Sequence, residues 1–282
     1  MGEKDVEEKK KDFLEMKVNE LMFEIQEKRS LVVAFSGGVD SSVVAAIAYK
    51  ALGERALALT VDSPLLPPGE LEYARAVAKR IGINHDVVKF NELEIAEFKE
   101  NPPNRCYLCK KFRFGKLIEM AHERGFGTVA DGTNLSDLGE YRLGLKAAEE
   151  LGIYSPLLEA GLSKSDIREI AQQLDLPTFG KPASPCLATR IPYGQELTQG
   201  RLKRIADAES YVESVTDVKV IRVREHDDLA RIEVGLDERR LFFNEQLLNQ
   251  ITQKLKQLGY EFVTFDMEGY RFGSFDEVMR AK

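Results

Sequence analysis

The sequence predicts an α/β chain built on a doubly wound parallel sheet, followed by a smaller C-terminal α+β domain. Three observations predict it. Short apolar, partly β-branched runs recur at 31–35 (LVVAF), 56–61 (ALALTV), 85–90 (HDVVKF) and within 127–134 (GTVADGTN), as strands buried on both faces do. Stretches with helical apolar spacing stand between them, and strand–helix alternation implies right-handed crossovers between parallel strands. Beyond residue 190 the pattern changes to strands joined by short loops.

Taken in order, residues 3–28 read as one long polar helix whose Leu14, Val18, Leu21, Met22 and Ile25 form a single apolar stripe. The first strand leads through glycines into an apolar helix at 42–52. The helix at 69–82 places Leu71, Ala74, Ala78 and Ile81 on one face. A proline-broken loop, NPPNRCYLCK, precedes a helix reaching about residue 124, and the fourth strand runs into DGTN. Ser163 opens another helix, with Asp166 three residues on in a capping-box-like arrangement. An irregular stretch with Pro177, Pro182, Pro185 and Pro192 follows, long enough to be functional or a domain link. After it come a helix (198–214), strands at 218–224 and 230–234, a helix at 238–258 stopped by Gly259, and a last strand at 261–266. The expected division is 1–190 for a nucleotide-binding domain, with 1–28 its N-terminal helix, and 191–282 for a substrate-binding and oligomerisation domain.

Composition narrows the function classes. With 282 residues and 43% hydrophobic content a sizeable core is within reach, and a net charge of −7 argues against binding a polyanionic backbone. A small anionic substrate fits better than nucleic acid. No run of apolar residues is long enough for a membrane span, and the start MGEKDVEEKKKDF lacks an apolar signal core, so a cytoplasmic protein is expected. Three cysteines do not make a disulfide framework.

The strongest local signal is SGGVDSS, Ser36 to Ser42, between a predicted strand and a helix. Gly37 and Gly38 let the backbone close around an anion, free amides at the helix start point at phosphate oxygens, and Ser36, Ser41 and Ser42 add hydroxyl donors. Asp40 is odd beside a phosphate unless it holds magnesium or fixes the loop. An ordinary glycine turn with a capping Ser or Asp is the alternative. Asp62 ends the second strand and Thr133 lies in DGTN after the fourth, at the strand ends where open α/β sheets bind ligands. Lys164, a cation in a helix's first turn, opposes the helix dipole and makes sense if it meets an anion there. A solvated lysine is the alternative.

Cys106 and Cys109 form a CxxC, with Cys186 far along in the proline-rich stretch. Thiolates suit zinc or an iron–sulfur cluster, and three could hold three irons of a 4Fe–4S cluster. Persulfide chemistry without metal and inert burial are the other readings. Arg222 and Arg224 alternate on one strand and so share a face, and Arg271 sits in GYRFG. Arginine forks suit phosphate, and a charge-protected strand edge is the alternative.

SGGVDSS resembles the pyrophosphate-gripping loop of PP-loop ATP pyrophosphatases, which adenylylate a substrate. LSKSDIREIA (162–171) is similar to the lysine-bearing helix start of the NAD and GMP synthetases among them. SPCLATRIPYG (184–194), NRCYLCKK, DGTN and GYRFGSFD resemble the LarE family of PP-loop sulfur insertases, over nearly the whole chain. That resemblance implies ATP and magnesium as cofactors, Asp40 as the tentative magnesium ligand, and Ser36, Gly37, Gly38, Asp40, Ser41, Ser42, Asp62, Thr133 and Lys164 around the nucleotide. It implies pyridinium-3,5-biscarboxylic acid mononucleotide as substrate, in maturing the nickel-pincer nucleotide of lactate racemase, its phosphate held by Arg222, Arg224 and Arg271. With the CxxC present, the chain resembles the members that bind a 4Fe–4S cluster through three cysteines, here Cys106, Cys109 and Cys186, rather than those that sacrifice one cysteine's sulfur. An external sulfur donor and a homo-oligomer are implied as partners. A PP-loop tRNA thiolase, an ammonia-fed synthetase component and an ATP-binding module with a structural zinc are the rival readings.

Overall fold

The computed structural model describes residues 3–139, 143–271 and 273–275. In chain order its elements are α1 (Glu3–Glu27), β1 (Leu31–Ala34), α2 (Val39–Leu52), β2 (Ala56–Asp62), α3 (Glu70–Ile81), β3 (Asn84–Lys89), α4 (Ala96–Lys99), α5 (Arg105–Glu123), β4 (Val129–Ala130), α6 (Leu143–Glu150), α7 (Pro156–Glu159), α8 (Lys164–Gln173), α9 (Gln199–Val215), β5 (Ile221–His226), β6 (Leu229–Val234), α10 (Glu245–Gln257) and β7 (Phe262–Phe265). They form two compact units. One comprises 1–62, 69–90 and 106–183; the other comprises 63–68, 91–105 and 184–282. Two short excursions of the first half of the chain thus belong to the C-terminal unit.

The first unit holds a parallel sheet in the order β3-β2-β1-β4. Its central strands alternate between two cores, as period-two side chains must. Leu31 and Val33 of β1, with Ala56 and Ala58 of β2, join one cluster with α1, α2, α3 and α8. Val32, Leu57, Leu59 and Val61 face the other way, onto Phe114, Leu117 and Ala121 of α5 and Ala148 of α6. Helices cover both faces, so both rows of strand residues are apolar and the strands read as unbroken runs. The chain winds from β1 to β3 in one direction and then crosses to β4 on the opposite side of β1. The sheet therefore has its topological switch between β1 and β4.

The apolar stripe of α1 is buried: Leu14, Leu21 and Ile25 are at most 1% exposed and belong to the core beneath α2. The N-terminal helix is thus an integral part of the first unit. In the second unit β5 and β6 pair antiparallel and β6 and β7 parallel, and Val223, Ile232 and Val234 pack against Val212 of α9 and Ile251 and Leu255 of α10.

Several elements differ from the sequence expectation. α5 starts at Arg105, so the CxxC lies on the helix and not in the loop before it. The single helix expected over 238–258 is two: a 3-10 segment, Leu236–Phe242, and α10, which restarts because Asn244 caps it by accepting from the Leu247 N–H at 3.0 Å. The fourth strand is only two residues long. Leu14→Ala removes a fully buried side chain and is expected to cost about 2–5 kcal/mol in urea unfolding; a loss near zero would mean α1 is dispensable to the core.

Candidate nucleotide and cysteine sites

The loop after β1 is shaped by two close approaches. Gly37 has φ +71°, and a Cβ there would stand 2.8 Å from Ala74 Cα, so only glycine lets α3 pack on the turn. A Cβ on Gly132 would stand 2.8 Å from the Ser41 N and 2.9 Å from Asp40 Cβ. The β4 loop therefore lies directly on the start of α2. Both approaches occur at the carboxyl ends of β1 and β4, the switch point where a doubly wound sheet opens a crevice.

Hydroxyls stitch the loop internally. The Ser36 N–H donates to Ser41 Oγ at 3.3 Å, the Gly38 N–H donates to Ser36 Oγ at 3.3 Å, and Ser41 Oγ donates to the Gly38 carbonyl at 3.2 Å. The first intrahelical bond of α2 runs from the Ser42 N–H to the Gly38 carbonyl at 3.0 Å, so the amides of Val39, Asp40 and Ser41 lie ahead of the helix's own hydrogen-bond ladder. Ser42 Oγ is buried without a hydrogen-bond partner among the described residues. Buried hydroxyls in that state cost free energy, so one at a helix start suits an anionic ligand.

Across the crevice, DGTN is held by its own aspartate. Asp131 accepts from the Thr133 N–H at 3.1 Å, from Thr133 Oγ1 at 2.5 Å and from Ser155 Oγ at 2.8 Å. The Ser163–Asp166 capping box is present and presents Lys164 as the first residue of α8. Lys164 Nζ donates to Asp40 at 2.5 Å, and Asn134 Nδ2 donates to the other Asp40 oxygen at 3.4 Å. The anion that Lys164 meets is thus the loop's own carboxylate. The structure brings Ser36, Gly37, Gly38, Asp40, Ser41, Ser42, Thr133 and Lys164 together where the β1 and β4 loops meet, while Asp62 lies half-buried at the end of β2. Asn134, the last residue of DGTN, and Asp137, three residues on, complete the cluster; sequence reasoning singles out only Thr133 of that motif and overlooks Asp137. Burial holds the Asp137 carboxyl above the usual carboxylate range, although it accepts from the Asn134 N–H at 2.9 Å; nearby Asp40 pushes it further up, while Lys164 and Lys110 pull it down.

Cys106 lies exposed in the first turn of α5, and Cys109 follows one turn later, half-buried. Residues three apart share a helix face, so the two thiols can serve one centre. Cys186, half-buried, directly precedes a 3-10 turn, Leu187–Arg190, in the second unit. Among the described residues, no three Cys, His, Asp or Glu side chains group to hold a metal ion. Soft thiols, two of them one helical turn apart, suit zinc or iron–sulfur ligation alike.

Within the second unit the stretch around Cys186 is fastened by groups that sequence reasoning overlooked. Arg190, 1% exposed, forks onto Glu209 at 2.9 and 3.0 Å, and its Nη1 donates to the Pro185 and Cys186 carbonyls at 2.7 and 3.2 Å. Arg105, the residue before Cys106, donates to Asn101 Oδ1 at 2.5 Å and to the Ile191 carbonyl at 3.3 Å, and lies over the Tyr193 ring at 4.2 Å. Asn101 Nδ2 in turn donates to the Pro192 carbonyl at 2.8 Å. A charged residue inside an otherwise apolar LATRIP was the available signal.

Arg222 and Arg224 lie side by side on β5, an edge strand, yet are only 8% and 4% exposed. Arg224 donates to Glu233 at 2.9 Å and to the Thr189 carbonyl at 2.6 Å; Arg222 stands over the Tyr270 ring at 5.0 Å. Burial pulls both guanidinium pKa values down, and neighbouring Arg190 adds to this. Arg271 is exposed and pairs with Glu268 at 3.0 Å, and Phe272 and Asp276 of GYRFGSFD lie outside the described residues.

Two measurements follow from these contacts. Arg190→Met leaves Glu209 buried without its partner and is expected to cost about 3–5 kcal/mol in chemical denaturation; a cost under about 1 kcal/mol would mean that water replaces the arginine. For Asp137 the raised folded-state value means the native protein binds this proton more tightly than the unfolded chain does. The penalty is full at neutral pH and fades as pH falls through the raised value. Asp137→Asn is therefore expected to be more stable than the parent at pH 7, with the difference shrinking towards about pH 4, in urea unfolding at both pH values.

Comparison with known proteins accords with this geometry. The NAD synthase family model matches residues 6–134, the span holding the β1 loop and DGTN. An uncharacterized Synechocystis protein is 42% identical over 94% of this chain and 99% of its own length. A component of the glutamine-hydrolyzing GMP synthase of Methanococcus maripaludis is 29% identical over 65% of this chain and 63% of its own. The pyridinium-3,5-bisthiocarboxylic acid mononucleotide synthase of Lactiplantibacillus plantarum is 34% identical over 92% of this chain and 93% of its own. At that identity over nearly both full lengths, the chain belongs to the family of this synthase, the LarE family of PP-loop enzymes.

Proposed function

We propose that the chain is an ATP-dependent sulfur transferase that converts pyridinium-3,5-biscarboxylic acid mononucleotide to its thiocarboxylates, in maturation of the nickel-pincer nucleotide. The observation that carries this reading is the meeting of the β1 and β4 loops at the start of α2, with Lys164 and an orphan Ser42 hydroxyl beside it, in a chain of this family.

The chemistry starts from a poor electrophile. A carboxylate offers only oxide as a leaving group. Its oxygen attacks the α-phosphorus of ATP, the bond to the bridging oxygen breaks, and pyrophosphate leaves, so that AMP becomes the leaving group on the acyl carbon. Loop amides and Lys164 hold the phosphates, with Lys164 turning from Asp40 to the incoming anion. Magnesium, held by Asp40 together with the phosphates, would neutralise charge on the departing pyrophosphate. A hydrosulfide equivalent from an external donor then forms the carbon–sulfur bond, AMP carries away the electron pair of the broken carbon–oxygen bond, and the sulfur's proton passes to solvent. A second round treats the other carboxylate.

In this reading Cys106, Cys109 and Cys186 hold a 4Fe–4S cluster, which when bound would supply a site for the transferable sulfur. Arg190 and Arg105 position the chain around those thiols. Arg222 and Arg224, buried together on β5, receive the substrate phosphate, with the exposed Arg271 as a third guanidinium. The same reading takes the protein to be cytoplasmic and homo-oligomeric. Among the described residues no helix is long and apolar enough to cross a membrane.

The test is anaerobic turnover of the biscarboxylic mononucleotide with ATP, magnesium and sulfide, following pyrophosphate and thiocarboxylate together. Lys164→Ala should lower kcat/KM for pyrophosphate release by about 100-fold or more. About four irons and four sulfides per chain, lost in Cys106→Ala, are expected on analysis. Zinc in place of iron, or pyrophosphate release without substrate dependence, would overturn the reading.

A further inference from the structure

The segment leading to Cys186 is gripped by two helices, and each of those helices also touches the nucleotide loop. Arg168 stands one turn after Lys164 on α8. Its Nη1 donates to the Phe179 carbonyl at 2.5 Å and its Nη2 to the Lys181 carbonyl at 3.2 Å. From α3, Glu70 accepts from Lys181 Nζ at 2.7 Å, the Tyr73 ring lies 3.8 Å beneath the same ammonium, and Tyr73 Oη donates to the Pro177 carbonyl at 3.4 Å. The Lys181–Glu70 pair is mostly buried, at 16% and 18% side-chain exposure, so it is shielded more than a surface pair. Arg80 of α3 also pairs with Asp175 at the end of α8, bracing the two helices together.

The same two helices also meet the loop itself. Ala74, the residue after Tyr73, is the group that a side chain on Gly37 would strike. Lys164 is the group paired with Asp40. Two short routes, from Gly37 through α3 (Ala74, then Tyr73 and Glu70) to Lys181 and from Asp40 through α8 (Lys164, then Arg168), therefore converge on residues 177–181, the last of them five residues before Cys186. Three carbonyl and two ammonium contacts thus hold a stretch that is exposed at Pro177, Phe179 and Gly180.

We infer that Arg168 and Lys181 are positioning residues that tie the cysteine-bearing segment to the nucleotide loop, so that filling the loop with ATP orders the approach to Cys186 and couples adenylylation to sulfur delivery. The inference rests on the sulfur-transfer reading for its consequence, but not for its mechanical part. Phosphates that draw Lys164 and fix the loop restrain α8 and α3 together, and the restraint reaches 177–181 through Arg168 and Lys181.

The experiment uses the full-length, anaerobically purified protein and the non-hydrolysable α,β-methylene analogue of ATP with magnesium. Hydrogen–deuterium exchange of peptides spanning 177–189 is expected to slow by about threefold or more on analogue binding. In Arg168→Gln and Lys181→Met the analogue should bind within about threefold of the parent while the slowing at 177–189 disappears. In the same variants, substrate-dependent pyrophosphate release should persist while thiocarboxylate formation falls by about tenfold or more, and Arg168→Lys should recover part of it. Unchanged exchange in the parent, or variants that keep both the slowing and thiocarboxylate formation, would overturn the inference. Loss of pyrophosphate release in the parent itself would instead sink the sulfur-transfer reading, leaving the exchange measurement to judge the tether.

Discussion

The close approach of the β4 loop to the start of α2 is the constraint on which the first unit depends. Gly132 touches Ser41 and Asp40 at a distance that no side chain tolerates. That contact is possible because β1 and β4 are adjacent, which in turn requires the chain to cross the sheet after β3 and return on its opposite face. The crossing puts α5 and its CxxC on one face and the loop-bearing helices on the other. A single topological decision thus sets where the β1 and β4 loops meet.

Asp40 illustrates how the crevice is held in shape. A carboxylate beside a phosphate site is electrostatically unfavourable when the phosphate is present. Asp40 neutralises Lys164 and accepts from Asn134, which holds the cation against the start of α2. Burial of Asp137 beside them adds a carboxyl whose charge the site resists.

The second unit solves a different problem. It buries Arg190, Arg222 and Arg224 close together, with Glu209 and Glu233 as their acidic partners. Buried ion pairs of this kind rarely raise stability over an apolar core, and they are retained where a definite arrangement is needed. Here they fix the carbonyls of Pro185, Cys186 and Thr189, the backbone that carries the cysteine.

Much of the fold was legible in the sequence because buried parallel strands and amphipathic helices leave period-two and period-3.6 signals that local residues write by themselves. The loop Ser36–Ser42, the capping box at Ser163 and the α1 stripe were readable for the same reason: each depends on neighbours within one or two turns. What only the tertiary structure decided are contacts between residues distant in the chain. Lys164 meeting Asp40, Gly132 meeting Ser41, Arg190 reaching Glu209, and residues 63–68 and 91–105 joining the second unit all depend on which strands become neighbours. A short polar residue carries the same letter whether it faces water or a buried partner, so its role is set by the packing around it and not by its position in the sequence.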